Sequence, residues 1–334
     1  MFSQYNHQAD GAGHTGGDSG GHGRTHGTVD PAIFSSARGI WATKLSLLAL
    51  LATALVQTGV VVVTGSVALL ADTVHNFGDA ATAIPLWIAF SLARRQPTQR
   101  FNYGYGKAED LSGLFIVVVI LASGIYAAYV SLNHLSNPPE LEFLWAVAAA
   151  TLFGFLGNEA VALFRIKIGK EIGSAALIAD GYHARVDGLT SLAVLLGALG
   201  VWLGYPLADP IIGLVISVAI LRIVVTSAKP VLARLLDGVE PGVVDEVREA
   251  ARETAGVADV SEVRVRWLGH RMLAEVNIAV QSNITVEEGH RIAQDVHHQL
   301  LHRLRYLSNT TVHVDPLETS GEGHHPQPGS HHLE

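Results

Sequence analysis

The sequence predicts a membrane α-helical protein, with six transmembrane helices followed by a cytoplasmic ferredoxin-like α+β domain. Three observations carry that reading. Of 334 residues, 49% are hydrophobic and 16% charged, and the mean hydropathy is +0.31, an apolar balance unusual for a water-soluble chain. Six apolar runs are each long enough to cross a bilayer, which takes about 20 residues of helix. The charge also changes character near Asp237: residues 1–236 hold 14 Lys+Arg and 14 Asp+Glu, whereas residues 237–334 hold 8 and 16, so the net −8 belongs to the last portion. That acidity argues against nucleic acid as a partner. There is no cysteine, which removes thiolate metal sites, iron–sulfur clusters and disulfide scaffolds and leaves nitrogen and oxygen ligands. The 17 histidines are then the main metal-ligand and proton-switch resource.

Taken in order, residues 1–37 form a His-rich segment of Gly, Ser and polar residues, carrying His7, His14, His22 and His26. It has too few large apolar side chains to offset its chain entropy and is expected to be disordered. The transmembrane domain is 38–236, with spans near 40–63, 67–92, 109–135, 141–166, 175–203 and 207–232. Arg94, Arg95, Arg100 and Lys107 fall between spans two and three, and Arg165, Lys167 and Lys170 between four and five; the loops on the other side carry no basic residue. The positive-inside rule therefore places both termini in the cytoplasm. Arg94, Arg95, Arg100 and Lys107 are expected to face lipid phosphates. With no signal-like stretch near Met1, a bacterial inner membrane is the expected location.

The domain at 237–316 reads α-β-β-α-β. A helix at 241–255 places Val243, Val244, Val247 and Ala251 on one side. Strands at 257–267 and 272–280 alternate about a turn at Gly269. The second helix, 285–304, opens on Thr285-Val286-Glu287-Glu288, a capping-box pattern, and a last strand at 310–315 is stopped by Pro316. A tail at 317–334, with His324, His325, His331 and His332, is expected to be disordered like the N-terminal segment.

Ionisable residues inside spanning helices are costly, so each is a functional candidate. Span two contains His75 and Asp79, and span five contains His183 and Asp187. Residues four apart on a helix share a face, so each helix offers one imidazole and one carboxylate to the same place. Two such faces meeting would make a tetrahedral N2O2 site suited to Zn²⁺. Asp72 and Asp180, three residues before each His, either line the ion's approach, assist the His rings, or serve only as interhelical hydrogen-bond partners. Glu159 is assigned no ligand role, and Asp209 is expected at the far interface. The pattern lacks the His-Glu-x-x-His run of a metalloprotease; a metal sensor without transport is the rival reading.

These motifs resemble the cation diffusion facilitators. The likeness rests on Leu69-Leu70-Ala71-Asp72-Thr73-Val74-His75-Asn76-Phe77-Gly78-Asp79, Tyr103-Gly104-Tyr105-Gly106-Lys107-Ala108-Glu109, Ala179-Asp180-Gly181-Tyr182-His183-Ala184-Arg185-Val186-Asp187, Asp209-Pro210 and His313-Val314-Asp315-Pro316. It implies a homodimer, joined through the cytoplasmic domain, that exports divalent metal in exchange for protons. His75, Asp79, His183 and Asp187 would be the transport site. Zn²⁺ is the expected ion, with Cd²⁺, Co²⁺, Fe²⁺ and Mn²⁺ as the broader set. His290, His313 and Asp315 match family ligands of a regulatory site, with Glu275, His270 or a dimer partner able to complete the shell. The stretch Gln99-Arg100-Phe101-Asn102 has no His or acid where some relatives bind a further metal, so none is expected there.

Overall fold

The computed structural model describes residues 31–64, 77, 82–136, 144–205 and 207–319. Helix α1 (Pro31–Thr64) is followed by a shorter apolar helix, α2 (Thr82–Ala93), and then by α3 (Lys107–Ser136), α4 (Leu144–Ile172), α5 (Ala175–Trp202) and α6 (Ala208–Leu235). Five of these, all but α2, are long and apolar enough to span a membrane. Apart from Phe77, residues 67–81 of the second expected span lie outside the described residues, as do 1–30 and 320–334.

These helices are apolar around most of their circumference, as expected of segments whose outer surface meets lipid. Leu48, Leu55, Val62, Tyr126 and Val215 point outward, whereas Phe90, Ile116, Ile120, Leu177 and Ile220 are fully buried in a shared core. Small residues set the closest approach, since glycine lets two backbones come together. A Cβ on Gly181 would stand 2.7 Å from Ile166 Cγ1 and 3.0 Å from its backbone nitrogen, and one on Gly169 would stand 2.7 Å from Ile178 Cγ1. These contacts fix α4 antiparallel to α5, the two joined by a short turn. Gly173 (φ +75°) ends α4, and the Ser174 hydroxyl caps α5 by accepting from the Leu177 amide at 3.0 Å.

Three expectations are corrected. Helix α1 starts at Pro31, well before residue 38, because its first turns find partners on two sides: Ser36 is buried against His270 of the C-terminal domain, and Arg38 pairs with Glu171 at the end of α4 at 2.5 Å. Arg165, Lys167 and Lys170 lie within α4 and not in a loop, and Arg165 is 1% exposed. Lys107 opens α3 facing protein and not lipid phosphate, donating to the Arg234 carbonyl at 2.6 Å and to Asp237 Oδ1 at 2.8 Å.

The C-terminal domain consists of α7 (Pro241–Arg252), β1 (Asp259–Leu268), β2 (Arg271–Val280), α8 (Val286–Arg303), β3 (Leu307–Pro316) and a closing 3₁₀ turn, Leu317–Thr319. The sheet order is β1-β2-β3, with β1 antiparallel and β3 parallel to β2. This is the ferredoxin-like arrangement without its first strand, so the strands on either side of that position pair directly. Both helices cover one face: Val247, Ala250, Ile292, Val296 and Leu300 pack on Val265, Trp267, Ala274, Val276 and Ile278. Strand β3 begins at Leu307, earlier than its polar Ser308-Asn309 suggests, because the parallel pairing already starts at Met272↔Leu307. The capping box forms as the sequence predicts, with the Glu288 amide donating to Thr285 Oγ1 at 3.2 Å. Thr285→Ala is expected to cost about 1 kcal/mol, seen as a lower thermal midpoint by circular dichroism of the full chain.

The β1–β2 turn plugs this domain into the membrane domain. His270 places Nδ1 2.6 Å from Glu109 Oε2 and Nε2 3.1 Å from Ser36 Oγ, with its ring 5.9 Å from that of Phe90. The Gly269 amide donates to Asp110 Oδ2 at 3.3 Å, and Arg234 Nη1 donates to the carbonyls of Gly173 (2.6 Å) and Gly269 (3.3 Å). The Arg234 guanidinium lies 3.8 Å from the Trp267 ring centroid, a cation–π contact out of water. Gly269 needs its positive φ of +65°, and a Cβ there would also meet Glu109 Oε2 at 2.8 Å.

Candidate metal centre

The apolar length of α5 carries His183 and Asp187 into the bundle interior, and their spacing of four brings them to one face. They are 1% and 2% exposed, and His183 Nε2 stands 3.9 Å from Asp187 Oδ2. That is too long for a hydrogen bond, but it is close to the edge of a tetrahedral zinc site, where ligands about 2.0–2.1 Å from the metal sit roughly 3.3–3.5 Å apart. His75 and Asp79, the other half of the expected set, lie outside the described residues, as does Asp72.

The other carboxylates of α4 and α5 are matched by arginine, Glu171 by Arg38 among them. Arg185 grips Glu159 with two hydrogen bonds, Nε–Oε2 at 3.1 Å and Nη2–Oε1 at 2.7 Å. Arg165 Nη1 pairs with Asp180 Oδ2 at 3.1 Å, both fully buried. Of the three roles open to Asp180, assisting His183 is not the one the structure displays. Asp187 meets a titratable imidazole, where Glu159 and Asp180 meet permanent cations. Further polar side chains buried in the same bundle are Gln57 (1%), Asn158 (2%) and Ser191 (3%). The Gly154 position abuts Gln57 and Ser191, and the Gly188 position abuts Asn158. At the far end, His134 Nδ1 lies 3.0 Å from Asp209 Oδ2, so the acid that opens α6 is paired and not merely interfacial.

Sequence reasoning took Arg165 for a loop cation. Only the turn at Gly173-Ser174, folding α4 back on α5, sets residues 165 and 180–181 at one level, opposite each other.

In the C-terminal domain the expected regulatory residues are only partly assembled. His313 Nε2 lies 2.9 Å from Asp315 Oδ1. His290 contacts Gln294 at 3.0 Å, and with Asp315 it lines a cavity of about 360 Å³ between α8 and β3. His270, considered as a further ligand, is spent in the junction with Glu109 and Ser36. Glu275 is exposed on β2, level with Arg264 and Thr311. Among the described residues, no group of three or more His, Asp or Glu is clustered closely enough to hold a metal. The loop after α2 is organised by rings, with Phe101 and Tyr105 5.0 Å apart and Arg266 over Tyr103 at 4.6 Å.

A multi-pass helical bundle that buries an imidazole and a carboxylate on one helix face, and bears a small α+β domain, defines a membrane transporter of cations. The cation efflux transmembrane domain matches residues 43–236 and the cation efflux protein cytoplasmic domain matches 239–317. A probable cation efflux system protein of Mycobacterium tuberculosis is 51% identical over 291 residues, covering 87% of this chain and 88% of its own. The manganese efflux system protein MneP of Bacillus subtilis is 26% identical over 284 residues, covering 82% and 95%. A solved MamM CTD in its cadmium form is 29% identical, covers 23% of this chain and 95% of its own, and has a TM-score of 0.23. The chain belongs to the cation diffusion facilitator family and is a cation efflux transporter.

Proposed function

We propose that this transporter exports Zn²⁺ from the cytoplasm in exchange for H⁺, through a tetrahedral site of His75, Asp79, His183 and Asp187. The observation that supports this most directly is the buried face of α5, where His183 and Asp187 lie 3.9 Å apart while Glu159 and Asp180 are each met by an arginine. Two imidazoles and two carboxylates make a compact set of intermediate softness, which favours Zn²⁺ over ions that prefer more oxygen and higher coordination. Metal requires the imidazoles neutral, so metal and proton compete for the same lone pair. Open to the cytoplasm, the site binds metal and sheds protons; open to a more acidic exterior, it takes up protons and releases metal, with rocking of the helices between the two states.

In this reading both termini are cytoplasmic, the membrane is a bacterial inner membrane, and two copies associate through the C-terminal domain. His313 and Asp315, with His290 across the cavity, bind regulatory metal there, aided by the second copy. The acidic domain concentrates cations near the entrance. A second reading, Mn²⁺ as the main substrate, is favoured by the likeness to MneP. Flux into proteoliposomes across Zn²⁺, Cd²⁺, Co²⁺, Fe²⁺ and Mn²⁺, with and without a pH gradient, tests the choice of ion and the exchange with protons. Zn²⁺ is expected to move fastest, with protons moving the other way; flux indifferent to the gradient rejects the exchange. His75→Asp is expected to shift the profile toward Mn²⁺, and an unchanged profile rejects a tuning role for that position.

A further inference from the structure

Arg165 and Asp180 form an ion pair that binding at His183 and Asp187 does not require. Besides the 3.1 Å contact with Asp180, Arg165 Nε donates to Ser46 Oγ at 2.8 Å, so one guanidinium ties α1, α4 and α5 together. Their side chains are 1% and 0% exposed. Neither carboxylate oxygen of Asp180 takes a hydrogen bond, and Arg165 Nη2 makes none. A buried pair with unused hydrogen-bonding capacity is a poor source of stability, because desolvation offsets its Coulomb attraction. Two apolar side chains would hold the helices at least as well.

Its place in the bundle points to another role. Helix α4 ends and α5 begins on the side of the C-terminal domain, where the Tyr306 hydroxyl donates to the Lys170 carbonyl. Asp180 lies between that end of α5 and His183, so an ion moving from the C-terminal domain to His183 and Asp187 passes its level.

We propose that Arg165 is a tethered cation that gates the transport site. Its guanidinium occupies Asp180 while this side is closed. An arriving divalent ion, compact and doubly charged, attracts the carboxylate more strongly, takes Asp180 from Arg165, and so unties α5 from α1 and α4, leaving the guanidinium held only by Ser46 and free to swing. Asp180 then passes the ion one turn along α5 to His183 and Asp187. The gate rests on reading those two residues as the transport site.

The test uses the full chain in proteoliposomes with Zn²⁺ supplied on the side of the C-terminal domain. Asp180→Asn is expected to raise the KM for Zn²⁺ about tenfold, the size of effect seen when a group assisting a metal ligand is lost, with turnover largely kept. Arg165→Gln is expected to lower KM severalfold, and the double variant to have the KM of Asp180→Asn, while Arg165→Lys restores the wild-type value. Because the chain has no cysteine, Ser46→Cys gives a readout independent of transport. In metal-free buffer a thiol reagent should label Ser46→Cys slowly and Ser46→Cys/Arg165→Gln about fivefold faster, as the closed population falls. Equal labelling rates, or an unchanged KM in Asp180→Asn and Arg165→Gln with less folded protein, overturn the gate and leave a structural tie. Asp187→Asn transporting like wild type would instead overturn the transport-site reading, and the labelling difference would still report on the gate.

Discussion

Asp187→Asn is expected to abolish metal transport, by about 100-fold or more, while leaving the bundle folded. The substitution keeps shape and volume and removes the negative charge and the strong oxygen ligand, so the site loses an anionic donor that an amide replaces poorly. An effect beyond the 10–100-fold typical for groups that only support a ligand is the expectation for a ligand itself. Stability should move the other way or not at all. A carboxylate at 2% exposure inside a bilayer is costly, and its neutral isostere is cheaper to bury. Transport lost with the melting temperature and elution volume unchanged is the combination that marks a functional residue. Asp187→Asn with wild-type flux would remove this residue from the site, and a variant that merely unfolds would make it structural.

His270→Ala is expected to loosen the C-terminal domain from the membrane domain. Glu109 is 1% exposed, and its Oε2 has the His270 ring at 2.6 Å. Removing the ring takes away the nearest partner of that carboxylate and leaves it Ser174 and Arg234, so the cost is expected toward the lower end of the about 3–5 kcal/mol for deleting one member of a buried pair, while the contacts with Ser36 and Phe90 go too. The readouts are protease cleavage near residues 237–240 and the emission of Trp267, which should shift red as Arg234 and its surroundings separate from it. Glu109→Gln/His270→Gln, which removes both ionisable groups, should recover much of the loss. If His270→Ala cuts no faster than wild type, the plug at the β1–β2 turn is not what holds the domain.

How much of this was legible in advance follows from the range of the interactions involved. The uniform apolar spans were, because hydrophobic length is a local property read one helix at a time. So were the His183 and Asp187 pair, since a spacing of four fixes a shared face within one helix, and the Thr285–Glu288 capping box, which is complete within four residues. Arg165 was not. An arginine near the end of an apolar run looks like a loop cation until Asp180 arrives from the neighbouring helix, and that meeting depends on the Gly173-Ser174 turn and on Gly181 letting Ile166 approach. The place of His270 in the junction was not legible either, for the same reason. On a hairpin of a His-bearing domain it is one of several groups able to complete a metal shell, and only docking against α1, α2 and α3 supplies Glu109, Ser36 and Phe90.

The sequence by itself determined a two-part transporter with an imidazole and a carboxylate on one face of α5, because helix periodicity and apolar length are encoded residue by residue. The tertiary structure decided which charges meet a cation: Glu159 faces Arg185, Asp180 faces Arg165, and Asp187 lies beside the His183 imidazole. Pairing of buried charges depends on what a neighbouring element brings to the same place, and that partner can lie 15 residues away on the next helix, as for Arg165 and Asp180, or 161 away on the turn of another domain, as for Glu109 and His270.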